Sequence, residues 1–75
     1  MLFRSSKYVI TNIGRTTANL NYREGVGTTN KSLGIYEKGT VVKLLNKTIL
    51  NNEYWYLCLD DKDRFGWCNG KYISI

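Results

Sequence analysis

The sequence contains no histidine and no proline, and it has only two cysteines and six acidic residues in 75 positions. Without an imidazole, neither a Cys-His nor a Ser-His arrangement can be built, which excludes the common machinery of acyl transfer. Cys58 and Cys68 lack the second cysteine pair or the histidines that a zinc site needs. We therefore predict a protein that is not an enzyme and that uses no cofactor or metal.

Long hydrophobic runs are also missing. No window approaches the roughly 18 apolar residues of a membrane span, so membrane insertion is not expected. The N-terminal "MLFRSSKYVI" has neither the hydrophobic region nor the cleavage site of a signal peptide. If the domain works outside a cell, we expect either a longer parent chain that carries the export signal or release by cell lysis.

Chain length and net charge limit the number of domains and the kinds of partner that the protein can have. A chain of 75 residues buries only about 60% of its unfolded surface, which suffices for one small domain. Lys and Arg outnumber Asp and Glu by 11 to 6, and this excess attracts anionic partners such as nucleic acid, acidic lipid or cell-wall polymer. The basic residues are spread singly along the chain, which argues against a phosphate track and also fits an ordinary solvated surface.

Hydrophobic residues alternate with a period of two through most of the chain, which predicts strands rather than helices. The segment 12–17 reads as a connection and 46–52 as a polar loop. Residues 60–63, "DDKD", read as a solvent-exposed acidic turn that joins an antiparallel hairpin. The predicted strands are 6–11, 18–23, 33–36, 40–45, 54–59 and 64–68, followed by a 3₁₀ turn at 69–72 and a short final strand. The pattern predicts an all-β barrel or sandwich.

Both cysteines lie in apolar settings, "WYLCLD" and "FGWCNG". Free cysteine in such a setting behaves as a small hydrophobic residue, so we expect reduced, buried thiols. The alternative is a disulfide between Cys58 and Cys68, because thiols in adjacent strands can approach each other.

Four separated motifs resemble the bacterial SH3 family in the same order. "LNYREGVG" is similar to its L-N-V-R-x-G-P pattern, "LGIYEKGTVVKLL" to a strand, glycine turn and apolar strand, and "YWYLCL" and "GWCNGKYISI" to W-x-x-V and G-W-V-x-x-x-Y-L. The resemblance spans residues 7–75 and leaves 1–6 as a linker or tail. Tyr22, Val26, Cys58 and Cys68 depart from the pattern, and the missing proline at Val26 affects the loop that shapes a ligand groove.

The resemblance implies a small SH3-like barrel of five to seven short antiparallel strands. It also implies that the long loop 24–32 folds back over the barrel as one wall of a groove, where binding is commonly placed. The implied interior residues are Leu20, Tyr22, Leu33, Val42, Leu44, Cys58, Cys68 and Ile73.

The candidate ligand-binding residues combine flat aromatic rings with polar side chains. Trp55 and Trp67 are expected to face outward, because Cys58 and Cys68 take the inward positions of their strands. Such rings offer broad apolar faces to sugars and peptides. The full candidate set is Asn21, Arg23, Thr28, Asn30, Trp55, Trp67 and Tyr72.

The resemblance implies a non-catalytic cell-wall module that targets a peptidoglycan hydrolase, such as a phage endolysin or autolysin, to the bacterial wall. Its expected partners are peptidoglycan, through a stem or cross-bridge peptide and possibly adjacent glycan, and the catalytic domain of the parent hydrolase. Its expected location is the cell wall or the extracellular space. One alternative is a peptide adaptor that docks Pro-rich helices. The other is a small nucleic-acid-binding barrel, which the scattered charge disfavours.

Overall fold

The computed structural model describes residues 12–75, and the predicted strand at 6–11 and the linker at 1–6 lie outside this range. Seven strands account for most of the described chain. They are β1 (Asn12–Thr16), β2 (Leu20–Arg23), β3 (Ser32–Tyr36), β4 (Val41–Leu50), β5 (Glu53–Leu59), β6 (Phe65–Asn69) and β7 (Ile73–Ser74), with a 3₁₀ turn at Gly70–Tyr72.

The seven strands form one antiparallel sheet in the order β3-β2-β6-β5-β4-β1-β7. The sheet curls into a half-barrel, and residues 12–75 contain no α-helix. This confirms the predicted all-β class and the range of strand numbers. It also places the long loop between β2 and β3 at one edge of the sheet, where it can fold over the neighbouring strands.

The predicted hairpin is present as β5 and β6, with Tyr56 opposite Cys68. The prediction of a solvated acidic turn is wrong for Asp60, which is only 3% exposed. Its carboxylate accepts hydrogen bonds from the backbone N–H of Lys62 and of Arg64 at 3.0 and 2.8 Å. It also binds the Arg64 guanidinium through Nε and Nη2, both at 2.7 Å. Burial pushes the pKa of the Asp60 carboxyl up, but these hydrogen bonds outweigh burial and lower the pKa below its usual value.

Two segments that were predicted as loops are strands. Residues 12–16 form β1, which pairs with β4 and β7. The predicted loop 46–52 is the outer half of β4 followed by a two-residue turn at Asn51 and Asn52, whose φ values are 53° and 65°. Asparagine tolerates this left-handed region, and two such residues in sequence make the tight turn that suits the twist of a hairpin. The polarity of the segment therefore reflects exposure on both faces rather than a loop.

The core lies on the concave face of the sheet and contains Leu20, Tyr22, Tyr36, Val42, Leu44, Cys58, Cys68 and Ile73. The prediction of Leu33 as a core residue is wrong, because its side chain is 47% exposed and Tyr36 is fully buried instead. The register explains the exchange. Tyr22 lies opposite Gly34 and its ring leaves no room for a Cβ there, so the even-numbered positions of β3 face inward. The Tyr22 and Tyr36 rings stack with centroids 4.3 Å apart.

Both cysteines are free and fully buried, which confirms the expectation of reduced core thiols. Cys58 and Cys68 come from neighbouring strands of the hairpin. The adjacent Cys58 thiol and burial raise the pKa of the Cys68 thiol. Because both side chains are fully buried, they act as packing groups of the core.

Candidate ligand-binding groove

A cavity of about 420 Å³ opens on the sheet and is lined mainly by residues outside the core cluster. We call it the groove. Strand β2, the long loop, the start of β5, the end of β6 and the 3₁₀ turn each contribute to it. Its lining residues are Asn19, Leu20, Asn21, Arg23, Thr28, Glu53, Trp55, Asn69, Lys71 and Tyr72. Five of the seven predicted site residues are among them: Asn21, Arg23, Thr28, Trp55 and Tyr72.

The long loop is held in place by its own polar groups. Asn30 donates its side-chain N–H to the carbonyl oxygens of Val26 at 2.7 Å and Gly27 at 3.3 Å. Arg23 donates from Nη1 to the backbone oxygen of Asn30 at 2.9 Å. Gly27 has a φ of 112° and lies against the Leu50 side chain, where even a Cβ would be crowded. Asn30 does not line the groove. Its hydrogen bonds shape the loop beside the groove.

The two tryptophans are placed differently from the prediction. Trp55 lines the groove but is only 3% exposed, so it forms a floor rather than an outward ridge. It lies outside the core cluster, on the opposite side of β5 from Cys58. Trp67 is half-buried, lies opposite Arg23 and Leu57, and does not line the groove. Strand alternation predicts that Trp55 points away from Cys58, but it does not predict the burial of Trp55 in a groove that the loop and the 3₁₀ turn also line.

Four polar residues of the groove were not predicted: Asn19, Glu53, Asn69 and Lys71. Asn69 caps the 3₁₀ turn, because its Oδ1 accepts from the Lys71 backbone N–H at 3.0 Å. This fixes the direction of its amide, whose Nδ2 donates to Glu53 Oε1 at 3.1 Å. Glu53 Oε2 lies 3.6 Å from the Lys71 ammonium. An asparagine before a predicted 3₁₀ turn was the one signal that could have located this cluster.

A second, larger cleft of about 510 Å³ lies elsewhere on the sheet, between β1, β4 and the β5–β6 turn. It contains none of the predicted site residues. Its rim carries Glu37 and Asp61 alongside Lys43 and Lys62, so it favours neither sign of ligand charge. The groove, in contrast, combines an aromatic floor and wall with several hydrogen-bonding groups.

Two findings on residues 12–75 bear on chemistry. This part of the chain holds no group of three His, Cys, Asp or Glu residues that could bind a metal ion. It also holds no helix long and apolar enough to cross a membrane. The groove itself carries a single carboxylate, that of Glu53, and no thiol. Its side chains are suited to hydrogen bonding, ion pairing and stacking.

The comparisons with protein-family models, with curated proteins and with solved structures found no match for this chain. Its motifs and its groove are thus the features from which a function can be inferred.

Proposed function

We propose that this domain is a non-catalytic module of the bacterial SH3 type that binds peptidoglycan. The observation that carries the proposal is the groove, in which five side chains chosen from the sequence line one cavity. These residues come from three separate parts of the sequence, namely β2 with the loop that follows it, β5, and the 3₁₀ turn. Their assembly on one face is what a binding module requires of a rigid scaffold.

The groove suits an extended peptide. The Trp55 floor and the Tyr72 wall offer apolar ring faces, and Tyr72 is 39% exposed and accessible to a ligand. Asn21 and Thr28 can both donate to and accept from peptide groups. One guanidinium N–H of Arg23 donates to the backbone oxygen of Asn30. The other N–H groups of the guanidinium can donate to a ligand carbonyl or carboxylate. We assign the stem or cross-bridge peptide of peptidoglycan as the ligand, with adjacent glycan at the rim.

We also propose how the domain approaches the wall and what kind of protein it belongs to. A net charge of +5 favours approach to a wall rich in phosphate and carboxylate groups. A module of this kind acts by holding a catalytic domain near its substrate, so we propose a parent peptidoglycan hydrolase, such as a phage endolysin or autolysin. The site of action is then the bacterial wall or the extracellular space.

A binding assay on purified Gram-positive sacculi tests the proposal. The labelled domain is incubated with sacculi at moderate salt, and the bound fraction is measured against protein concentration. We expect saturable binding that a soluble muropeptide digest competes away. Absence of saturable binding to walls of several chemotypes contradicts the proposal.

The same assay separates the two alternatives. Competition by a PxxP peptide but not by muropeptides indicates a peptide adaptor. Competition by single-stranded DNA, with affinity falling steeply as salt rises, indicates a nucleic-acid-binding barrel.

A further inference from the structure

Glu53 lies in the groove, and its two carboxylate oxygens have different partners. Oε1 accepts a hydrogen bond from the amide of Asn69, whose direction is fixed by the cap it makes on the 3₁₀ turn. Asn69 is only 9% exposed, which leaves its amide little freedom to reorient. The hydrogen bond from Asn69 therefore holds Oε1 in place. The other oxygen, Oε2, is oriented by this hydrogen bond.

The partner of Oε2 is loosely held. The ammonium of Lys71 lies 3.6 Å from Oε2, and the two side chains are 56% and 44% exposed. This separation exceeds the 2.7–2.9 Å that is typical of a charge-assisted hydrogen bond. An exposed pair of this kind contributes little to stability. In the same position the ammonium lies 5.3 Å from the centre of the Tyr72 ring, so Glu53 is not its only contact.

We propose that Glu53 recognises a primary amine on the ligand, which takes the place of the Lys71 ammonium at Oε2. The inference rests on the proposed function of the groove as a peptide-binding site, and it adds the chemical group that the groove selects. A protonated ligand amine placed at Oε2 donates a hydrogen bond and also pairs its positive charge with the oriented carboxylate, whereas an acetylated amine or an amide can donate only as a neutral group. Lys71, whose side chain is 56% exposed, turns out into solvent when the ligand enters.

Two sources supply a primary amine in a wall peptide, namely the N-terminus of a bridging peptide and the side-chain amine of a diamino acid. Three probes distinguish them. H-Gly-Gly-Gly-NH₂ carries only an α-amine, Ac-Gly-Lys-Gly-NH₂ carries only a side-chain amine, and Ac-Gly-Gly-Gly-NH₂ carries none. Each probe is titrated into the ¹⁵N-labelled full chain, and the shifts of the Trp55 indole N–H and of the Asn69 side-chain amide are followed.

We expect saturable shifts with at least one amine-bearing probe, and affinity for the acetylated triglycine about tenfold lower, because acetylation removes the positive charge that pairs with Glu53. Glu53→Gln keeps an acceptor for Asn69 and should abolish this discrimination. Lys71→Met removes the internal competitor and should tighten the binding of amine-bearing probes about twofold or more, an effect that a purely structural Glu53 does not produce. Glu37→Gln, in the second cleft, is the matched control and should leave the discrimination unchanged.

Equal affinities for the amine-bearing and acetylated probes overturn the proposal. Discrimination that persists in Glu53→Gln also overturns it, as does the absence of saturable shifts with all three probes. The sacculus assay separates these failures from failure of the proposed function, since wall binding without amine discrimination leaves the module intact and removes only the role of Glu53. Thermal melts of each variant establish that the folded domain is compared.

Discussion

Two ion pairs flank strand β5, and they differ in almost every physical respect. Arg64 and Asp60 follow the strand, their N–O distance is 2.7 Å, and the Asp60 side chain is completely buried. Glu53 begins the strand, and its oxygen lies 3.6 Å from the Lys71 ammonium with both side chains about half exposed. The same pairing of charges therefore serves two purposes. The buried pair holds a turn in shape, and the exposed pair leaves a carboxylate that can exchange one cation for another.

The difference follows from burial. A carboxylate removed from water must have its charge compensated by hydrogen bonds, and Asp60 obtains them from Lys62 and Arg64 of its own turn. Exchange of these partners would leave a buried charge unpaired. Glu53 keeps contact with water, so replacing Lys71 carries no comparable penalty. Variants of the two pairs, and of the core between them, should therefore differ in their effect on stability.

Asp60→Ala should have the largest effect on stability. The change removes the acceptor of two backbone N–H groups and the partner of Arg64. We expect the free energy of unfolding to fall by about 3 kcal/mol, the low end for a broken buried ion pair, because Arg64 can regain contact with water. Urea unfolding measures the loss. Asp61→Ala, at the exposed neighbouring position, is the control and should change stability little; equal effects of the two variants would show that the turn does not depend on the buried carboxylate.

Acid should weaken the same network. The folded-state pKa of Asp60 lies below its ordinary value, so its contribution is fully present above the unfolded pKa of about 3.9 and is lost as pH falls through the folded pKa. We expect the free energy of unfolding of the wild type to fall more steeply below about pH 4 than that of Asp60→Asn. Urea midpoints measured from pH 7 to pH 2 test this. Parallel curves for the two proteins would contradict it.

Replacing both Cys58 and Cys68 by valine should have a smaller effect. The thiols are buried and act as packing groups, and near-isosteric replacements in a core usually cost under about 1.5 kcal/mol. Urea unfolding measures the change, and thiol titration of the native and denatured wild type is the companion measurement. A much larger loss, with no titratable thiol in the denatured wild type, would indicate a disulfide instead.

Glu53→Gln should have the smallest effect on stability, within about 0.5 kcal/mol of the wild type, because its ion pair is exposed. The comparison with Asp60→Ala by urea unfolding is direct, since both variants remove a carboxylate at an end of β5. A loss similar to that of Asp60→Ala would mean that Glu53 supports the fold, and the contrast between the two pairs would fail.

The sequence predicted the parts of the fold that depend on local pattern. The alternation around Leu20 and Tyr22 gave β2, and the glycine-bounded and acidic turns located β3 and the β5–β6 hairpin. The exposure of Leu33 could not be predicted, because it depends on the register that Gly34 allows beneath the Tyr22 ring. Register is a property of two strands together, and one strand's alternation does not specify it.

Only those groove residues that follow from the alternation of a single strand could be predicted. Asn21 and Arg23 follow from alternation, since they face away from Leu20 and Tyr22. The floor position of Trp55 depends on elements distant in sequence that also line the groove, and its burial does not follow from its own strand. Glu53 is a single acidic residue after a turn, and only the fold brings it to Asn69.

The most direct test of the account compares two exposed aromatic residues in sacculus binding. Tyr72 lines the groove, whereas Phe65 is 59% exposed and lines neither the groove nor the second cleft. We expect Tyr72→Ala to weaken binding by about 2 kcal/mol, or roughly thirtyfold, as loss of an aromatic hot spot does, and Phe65→Ala to leave it nearly unchanged. Thermal melts establish that both variants are folded. Wild-type binding by folded Tyr72→Ala, or an equal loss in Phe65→Ala, would contradict the assignment of the groove as the peptidoglycan site.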